Sequence, residues 1–197
     1  MPFAAAPVLE NPWVRLEPLT LAHAPELAGA IAAGDLARIA YTRIPPPDAV
    51  DEEIERRLAL QREGWMAPWA VVDSASGRAV GMTTYMNIDA LHRRVEIGST
   101  WLARQVQGTR VNPAMKLLLL SRAFEDLGCI AVELRTDRRN AQSRAAIEKL
   151  GAREDGVLRH HMIMPDGHLR DTVVYSVLAQ EWPAVRERLL ARLSEPS

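Results

Sequence analysis

The sequence predicts a mixed α/β fold class, of the α+β type, in which a strand-rich region is combined with helices. Two observations support this class. Short segments rich in Val, Ile, Thr and aromatic residues cluster in the first half of the chain, and a strand-helix-strand-helix unit follows them. Neither an internal repeat nor a low-complexity tract interrupts the order. We therefore expect a single domain over residues 1–197, with a core at about 13–180 and a C-terminal helix at about 180–194.

The chain opens with a strand that is followed by a helix. Residues 13–19 alternate apolar and polar side chains with the period of two of a strand, and Thr20 can cap a helix over 21–33. After one more helix, segments separated by turn residues predict the consecutive strands of a meander. These strands cover 69–72, 79–87 and 93–102.

Two helices have distinct start and stop signals. Asp48 follows a run of prolines and begins an acidic first turn, and a spaced apolar stripe extends this helix up to Gly64. Asn112 and Pro113 begin another helix, since Asn is a favoured cap and Pro fits the first helical position. Gly128 ends this helix, which is the best-defined one in the sequence.

The remaining segments complete the mixed fold. They are a strand at 130–136, a helix at 140–150 ended by Gly151, a hairpin of 157–164 and 172–178 around 165–167, and a final helix from about 180 to 193.

Composition and charge exclude several classes of function. The net charge is −1 and the pI is near 6.5, so no global attraction to nucleic acid or anionic lipid is expected. No segment approaches the roughly 18 apolar residues of a membrane helix, and residues 1–12 lack the pattern of a secretion signal. Cys129 is the only cysteine and cannot form an internal disulfide. We expect a cytoplasmic protein without a nucleic-acid or membrane partner.

A candidate anion site lies at residues 105–112, between the last meander strand and the best-defined helix. Free backbone N–H groups and the helix dipole at such a helix start favour a phosphate. The alternative is a plain connection in which Gly108 makes the turn. Without a following Lys-Ser or Lys-Thr the segment is not a nucleotide-triphosphate loop, and without further glycines it is not a dinucleotide fingerprint.

Asn140 and Ser143 form a second candidate site, at the start of the predicted helix 140–150. Their spacing brings both side chains to one turn, beside the positive end of the helix dipole. A hydroxyl at this place can donate a hydrogen bond to a developing anion. Equally, Asn140 could be a helix cap and Ser143 an ordinary first-turn residue, and the two roles are compatible.

Glu96 is a candidate base in the middle of a predicted strand, on the strand face that it shares with Arg94 and Gly98. A carboxylate there lies either on the solvated face of the sheet or in a cleft. In a cleft, partial burial raises its pKa toward that of a useful base. The residues alone leave both possibilities open.

Metal and hydrolase chemistry have no support in the sequence. His160 and His161 are neighbours in a predicted strand, so their side chains point to opposite faces and cannot chelate one ion. No Cys/His pair has ligand spacing, and no Gly-x-Ser-x-Gly motif exposes a serine. We expect no metal, and we expect Tyr175 and Trp101 in the core or in a cleft wall.

Several motifs occur together in the order in which one known family has them. They are residues 14–19, 101–112, 113–127, 140–143, 148–152 and 167–178. Over most of the chain they resemble the GNAT superfamily of N-acetyltransferases, and in particular its ribosomal-protein N-terminal (Rim-type) branch. The resemblance implies the GNAT fold, a mixed and mostly antiparallel central sheet flanked by helices. In that fold acetyl-CoA lies in the splay between strands 4 and 5, the first of which carries Glu96.

The resemblance also implies which residues meet acetyl-CoA. Backbone amides of one loop would bind its pyrophosphate, and this loop consists of Gln105, Val106, Gln107, Gly108, Thr109, Arg110 and Val111. Arg110 replaces a small residue of the family, so its side chain either crowds the pyrophosphate or folds outward and adds a cation. Asn140 would contact the pantetheine arm. Ser143 corresponds to a hydroxyl that protonates the departing thiolate, and Glu96 to a base that acts on the amine, usually through water.

The expected function is acetyl transfer from acetyl-CoA to a primary amine, above all the N-terminal α-amine of a protein or peptide. Two alternatives stay open, which are acetylation of a small amine (amino acid, polyamine or aminoglycoside) and acetyl-CoA sensing without catalysis. A polycationic acceptor would need an acidic cleft. Asp48, Asp51, Glu52 and Glu53 could supply one, unless they are the solvated start of a helix.

The sequence says less about the identity of the acceptor and about the oligomeric state. Acceptor specificity would come from residues 28–35, 41–47 and 164–168, which contain no readable code. Apolar residues of the C-terminal hairpin and the last helix suggest a homodimer. In the helix, these are Trp182, Val185, Leu189 and Leu190.

Overall fold

The structure of the protein is a computed structural model that describes residues 2–39 and 42–195. These residues form one sheet of eight strands in the order β1-β2-β3-β4-β5-β6-β8-β7. The strands are β1 (Leu9–Glu10), β2 (Val14–Pro18), β3 (Ala67–Asp73), β4 (Arg78–Asp89), β5 (Arg94–Leu102), β6 (Ala131–Asp137), β7 (Arg153–Ile163) and β8 (Leu169–Leu178). Neighbouring strands are antiparallel except β5 and β6, which are parallel. The predicted fold class is confirmed.

The α-helices of the described residues lie on both faces of this sheet. They are α1 (Ala24–Gly34), α2 (Val50–Arg62), α3 (Val111–Ser121), α4 (Ala141–Leu150) and α5 (Trp182–Ser194). α1 and α2 pack on one face, where their apolar side chains meet Met82 and Trp101. α3, α4 and α5 pack on the opposite face, against Tyr85 and Val132 among others. Within the described ranges, no helix is both long and apolar enough to cross a membrane.

Two predicted helix starts need correction. The helix expected over 21–33 begins only at Ala24, because Leu21–His23 forms a 3₁₀ turn. The extended Thr20 precedes that turn, and its backbone N–H donates to Nδ1 of His23 at 3.1 Å. Thr20 therefore begins a 3₁₀ turn rather than the α-helix itself.

Asn112 was expected to cap α3, and this prediction is wrong. Arg110 occupies the cap position, and Pro113 is the third helical residue, where its missing N–H is still one that the helix leaves unpaired. The hydroxyl of Thr109 accepts the backbone N–H of Val111 at 3.3 Å, so helical geometry begins earlier than the Asn-Pro signal indicates. The predicted stop at Gly128 is confirmed, since Gly128 has a φ of +62° and follows a short π-helical turn.

The apolar surface expected on the last helix is wrong for most of its residues. Trp182, Val185 and Leu189 are buried in this chain's own core, and only Leu190 is exposed. Trp182 stacks on Phe124 with ring centroids 5.6 Å apart. The predicted hairpin is confirmed as β7 and β8, and five of the exposed large apolar side chains lie on it. They are Val157, Leu158, Ile163, Leu169 and Leu178.

The parallel strands β5 and β6 pair only at their starts. Arg94 aligns with Ala131 and Glu96 with Glu133, and past this point no described residue of β5 pairs with β6. The two strands therefore separate and leave a splay between them. A β-bulge lies in β5 just beyond, at Ser99, which has a φ of +46°. The bulge reverses the alternation of the strand, so that Ile97 and Trp101 pack in different hydrophobic clusters.

Candidate active site

Glu96 lies in β5 at the residue where the splay begins. Its side chain is 7% exposed, so it is largely buried and does not lie on a solvated face of the sheet. Oε2 accepts a hydrogen bond from Nδ2 of Asn87 at 2.7 Å and lies 3.3 Å from Nε of Arg135. The carboxylate is therefore fixed by one neutral and one charged donor, from the strands on either side.

The second carboxylate oxygen of Glu96 points over Gly98. A Cβ atom on Gly98 would lie 2.7 Å from Oε1 of Glu96 and 2.7 Å from the sulfur of Met86. Oε1 accepts no hydrogen bond from any residue that the structure describes. Glycine at position 98 thus provides the space in which Oε1 stays available for a proton.

Burial and nearby charges act on Glu96 in opposite directions. Burial raises the pKa of Glu96, whereas the Arg135 cation, the Asn87 hydrogen bond and the more remote Arg170 lower it, and the net shift is upward. The negative charge of Glu96 also raises the pKa of the side-chain amine of Lys116, in α3. Burial lowers the pKa of Lys116 to about 8, against the opposing effect of Glu96.

A ladder of ion pairs connects Glu96 with the neighbouring strand. Nη2 of Arg135 lies 2.7 Å from Oε2 of Glu133, and Nη2 of Arg94 donates to Oε1 of the same carboxylate. The ladder forms part of the wall of an open depression of about 490 Å³ on the sheet face. Asp155 and Ser176, which are hydrogen-bonded to each other at 3.0 Å, also line this depression.

A buried arginine ties α2 to the bulge of β5. Arg57 is 2% exposed, and it donates to the hydroxyl of Thr84 at 2.7 Å and to the carbonyl of Ser99 at 3.3 Å. Glu53 balances its charge, with Oε1 at 2.7 Å from Nε of Arg57. Because the Ser99 carbonyl is held from one side, the backbone of the bulge has a defined orientation beside the splay.

The predicted anion loop follows β5 and consists of a 3₁₀ turn (Arg104–Val106) and a turn at Gly108, whose φ is +78°. Val106 and Val111 are buried and anchor the loop. Gln105, Gln107 and Thr109 are exposed, and Arg110 is partly exposed. Across residues 2–39 and 42–195, no group accepts the backbone N–H of Gly108, Thr109 or Arg110. Three unpaired donors next to a helix start suit the binding of a phosphate.

The side chain of Arg110 takes the outward one of its two expected positions. Its guanidinium donates to the carbonyl of Glu195, just after the end of α5. Arg110 thereby connects the loop to the C-terminal helix, and its backbone N–H remains unpaired among the described residues.

Asn140 and Ser143 lie at the same sheet edge as this loop. β5 and β6 are parallel, so the segments that follow their carboxyl ends meet at one edge, on the two sides of the splay. Asn140 caps α4, since its Oδ1 accepts the backbone N–H of Ser143 at 3.0 Å. The predicted cap is confirmed. No described residue pairs with the hydroxyl of Ser143 or with Nδ2 of Asn140, which leaves both groups available.

The acidic residues near α2 do not form a cleft. Asp48, Asp51 and Glu52 are exposed. Glu53 is engaged by Arg56 and Arg57 at 2.7 Å each. Burial raises the pKa of Glu53, but the two arginines outweigh this effect and hold the pKa below its ordinary value. Tyr41, with which the predicted acceptor segment 41–47 begins, lies outside the described residues.

Two other sequence expectations concern aromatic residues. Tyr175 is buried, and its hydroxyl donates to Glu148 at 2.9 Å and accepts from Nε of Arg144 at 3.2 Å. Trp101 is buried between the sheet and the first pair of helices. Both residues are core residues, as expected.

Sequence reasoning missed the partners of Glu96, namely Asn87, Arg135 and Arg170. The register of three strand pairs, β4 with β5, β5 with β6 and β6 with β8, brings them to Glu96, and register is not visible in a single strand. One signal existed, because Glu133 and Arg135 alternate in the predicted strand 130–136 and therefore share one face. A charged strand face beside an expected base was the available clue.

Comparison with known proteins places this chain in a family. Residues 14–153 match the acetyltransferase (GNAT) domain. The chain therefore belongs to the GNAT acetyltransferase family. The predicted superfamily and enzyme class are confirmed.

Individual relatives agree with this membership. YdaF of Bacillus subtilis (strain 168), whose name gives it as a candidate ribosomal N-acetyltransferase, is 34% identical over 106 residues. That match covers 54% of this chain and 57% of YdaF, so it spans little more than half of the relative. A crystal structure of a GCN5-related N-acetyltransferase from Brucella melitensis is 32% identical with a TM-score of 0.85, and covers 95% of this chain and 85% of that chain.

A more distant neighbour shares the fold. RimJ of Mycobacterium smegmatis, in complex with CoA-disulfide, is 23% identical with a TM-score of 0.79. The likeness covers 93% of this chain and 92% of that chain.

Proposed function

We propose that this protein transfers an acetyl group from acetyl-CoA to the α-amine at the N terminus of a protein or peptide. The observation that carries this proposal is the buried carboxylate of Glu96 at the opening of the splay, in a chain of the GNAT family. A carboxylate with a raised pKa and one free oxygen is suited to accept a proton from an ammonium group.

Acetyl-CoA would be held mainly by the two loops at the sheet edge. The unpaired N–H groups of Gly108, Thr109 and Arg110 would donate to its pyrophosphate, within the loop from Gln105 to Val111. Across the splay, Nδ2 of Asn140 is available to the pantetheine arm. The fold neighbour RimJ contains coenzyme A, as a CoA-disulfide, which agrees with a cofactor site in this fold.

The reaction would be a direct transfer in a ternary complex. Glu96, through a water molecule, would remove a proton from the amine, whose nitrogen then forms a bond to the thioester carbon. Backbone N–H groups of the splayed strands would stabilise the oxygen of the tetrahedral intermediate. As the carbon–sulfur bond breaks, the hydroxyl of Ser143 would donate a proton to the thiolate and regain one from the nitrogen, which up to this point carries one proton more than the amide product.

An α-amine suits this site better than a lysine side chain. With a pKa of about 8, roughly a tenth of an α-amine is neutral at pH 7, whereas a Lys amine near 10.4 is neutral in less than about a thousandth of molecules. A polyamine or aminoglycoside would need an acidic cleft, and the acidic residues near α2 are either exposed or engaged by arginine. The name of YdaF agrees with a ribosomal-protein acceptor.

The proposal is tested by mass spectrometry of acetylation with acetyl-CoA and a mixed panel of acceptors. The panel contains peptides with free N termini, N-terminally blocked peptides with internal Lys, amino acids, polyamines and aminoglycosides. A gain of one acetyl group on α-amines of peptides alone is the expected result. A gain only on a small molecule would move the function to metabolite acetylation, and cofactor binding without any gain would indicate a sensor.

One domain, a homodimer and a cytoplasmic location belong to the same proposal. Both hydrophobic clusters pack against the same sheet, which supports one domain.

Ile163 is 69% exposed and Leu169 45% at the end of the β7–β8 hairpin, which supports a contact between copies through this hairpin. The buried free thiol of Cys129 suits a reducing compartment. Light scattering of the protein and of Ile163→Ser tests the dimer, since loss of the dimer in the variant is expected.

A further inference from the structure

Three charged side chains of β6 and β8 share the sheet face on which Glu96 lies. In the antiparallel pair of β6 and β8, Arg135 aligns with Val174 and Asp137 with Thr172, and aligned residues share a face. Arg170, two residues before Thr172, continues that face. Glu96 belongs to it as well, because Glu96 aligns with Glu133, two residues before Arg135.

Arg170 differs from its neighbours in having no carboxylate partner among the described residues. Arg135 lies 2.7 Å from Glu133, and Arg139 lies 3.2 Å from Asp137. Nε of Arg170 is buried and makes no hydrogen bond within residues 2–39 and 42–195. Burial lowers the pKa of Arg170, while Asp137 and Glu96 act in the opposite direction. Glu96 is therefore within electrostatic reach of this cation.

A second cation approaches Arg170 from the segment between α1 and α2. Nη2 of Arg43 donates to the carbonyl of Ile163 at 3.4 Å, at the end of the β7–β8 hairpin. In the described part of the chain, Arg43 forms no ion pair. Ile163 aligns with Leu169, the residue before Arg170, so the contact of Arg43 with the Ile163 carbonyl brings the two like charges near each other. In agreement with this, Arg43 lowers the pKa of Arg170. Such a pair is unfavourable unless an anion lies between the two cations.

We propose that Arg170 and Arg43 bind an acidic side chain of the acceptor, so that the preferred acceptor is a peptide with Asp or Glu shortly after its N-terminal residue. This inference rests on the proposed function, since it requires Glu96 to mark the place of the α-amine. An extended peptide advances about 3.3 Å per residue, so an acidic group at about the second or third residue would reach cations near Glu96. Arginine favours this recognition, because its planar fork binds carboxylates through two hydrogen bonds.

The experiment compares free-N-terminus octapeptides that differ only in Asp or Asn at the second or third position. Steady-state kinetics with acetyl-CoA are measured for the wild type, Arg170→Gln, Arg43→Gln, Arg170→Lys and the control Arg153→Gln. Arg153 lies at the far end of β7, is exposed and pairs with Glu181, so its loss removes the same charge elsewhere. The wild type is expected to have a KM about tenfold lower for the better Asp peptide, as for one charge-assisted hydrogen bond.

The variants separate recognition from folding and from catalysis. Arg170→Gln is expected to abolish the preference for Asp, Arg43→Gln to reduce it, and Arg170→Lys to restore part of it. Arg153→Gln should keep it in full. The preference is read as the ratio of the KM values for the Asn and Asp peptides within one variant, so that a change in kcat through the pKa of Glu96 does not enter it. Because Arg170→Gln could fail to fold, the salt dependence of the wild type is a second measure, and the preference should decrease as ionic strength rises.

The outcomes distinguish this inference from the proposed function. Equal KM values for Asp and Asn peptides in the wild type would overturn the inference and leave the N-terminal acetyltransferase intact. Acetylation of free aspartate or glutamate but of no peptide, or no acetylation at all, would overturn both. A preference for Asp that survives in a folded Arg170→Gln and in Arg43→Gln would overturn the assignment to these two residues.

Discussion

The two parts of the site differ in the groups from which they are built. The loop at the sheet edge offers backbone N–H groups around Gly108, and the start of α4 adds Nδ2 of Asn140 and the hydroxyl of Ser143. The sheet face offers charged side chains, and Glu96, Arg135 and Arg170 come from three different strands. A backbone site needs a turn and a helix start, whereas a side-chain site depends on register. Substitutions should therefore affect cofactor binding and acceptor chemistry separately.

The largest effect should follow from the loss of the carboxylate on the sheet face. Glu96→Gln keeps the shape of the side chain but removes the base, so kcat should fall by about 10²- to 10⁴-fold. The dissociation constant of acetyl-CoA should hardly change, because this substitution leaves the loops intact. Steady-state kinetics and calorimetry measure both quantities.

Glu154→Gln is the matched control for this prediction. Glu154 is exposed on β7, and its substitution should leave kcat unchanged. An unchanged kcat in Glu96→Gln would exclude Glu96 from the mechanism. It would also contradict the claim that the sheet face acts on the amine.

The next effect concerns the space around the carboxylate. In Gly98→Ala, the new Cβ would lie 2.7 Å from Oε1 of Glu96, so the carboxylate or Met86 must move. Overpacking typically costs about 1–3 kcal/mol, and a similar loss in the transition state would lower kcat about tenfold. Gly29→Ala is the control, since no atom lies within 4 Å of its Cβ position. Equal kcat values for the two variants would contradict a role for Gly98.

The loops at the sheet edge could be predicted from the sequence more completely than the charged sheet face. The loop at 105–111 and the cap at Asn140 were predictable, because glycine, helix caps and helix starts act within a few residues. Seven of the eight strands of the described residues were predictable from the periodicity of short segments, whereas the two-residue β1 was not. The exact start of α3 was missed, because the Thr109 hydroxyl, and not Asn112, meets the first helical N–H.

The sheet-face site could be predicted only at Glu96. Whether Glu96 is buried depends on where β6 begins to pair with β5, and the bulge at Ser99 changes which side chains share a face. Arg135 and Arg170 meet Glu96 only through the pairing of β5, β6 and β8. These are contacts between residues far apart in the chain, and no local pattern specifies them.

A smaller effect on kinetics is expected from a substitution in the loop 105–111, whose backbone N–H groups would bind acetyl-CoA. Gly108 has a φ of +78°, and a residue with a Cβ atom costs about 1–2 kcal/mol in this left-handed region. Gly108→Ala should therefore distort the loop and raise the KM for acetyl-CoA about fivefold or more, while kcat at saturation stays near the wild-type value. Kinetics at varied acetyl-CoA test this.

Gly77→Ala is the control for Gly108, because Gly77 also has a positive φ, of +67°, and an open Cβ position, but lies in the turn between β3 and β4. Its substitution should lower stability without changing the KM for acetyl-CoA. The same rise in KM in both variants would attribute the effect to general destabilisation.

The smallest expected effect is a shift in the pH profile. Glu96 must be ionised to accept a proton, so kcat/KM should rise with pH through its pKa. The Arg135 cation holds this pKa down against burial, and its removal in Arg135→Gln raises the pKa. The acidic limb of the profile should then move to higher pH, while Arg153→Gln leaves it in place. A limb that stays in place or moves to lower pH would contradict the assignment.

The central claim is that backbone amides of one loop bind acetyl-CoA, while Glu96 on the sheet face acts on the amine. One titration of acetyl-CoA at a saturating concentration of a peptide acceptor, run on the wild type, Glu96→Gln and Gly108→Ala, tests it most directly. The account predicts that Glu96→Gln lowers kcat with little change in KM, and that Gly108→Ala raises KM with little change in kcat. A parallel loss of both constants in both variants would contradict the division of the site.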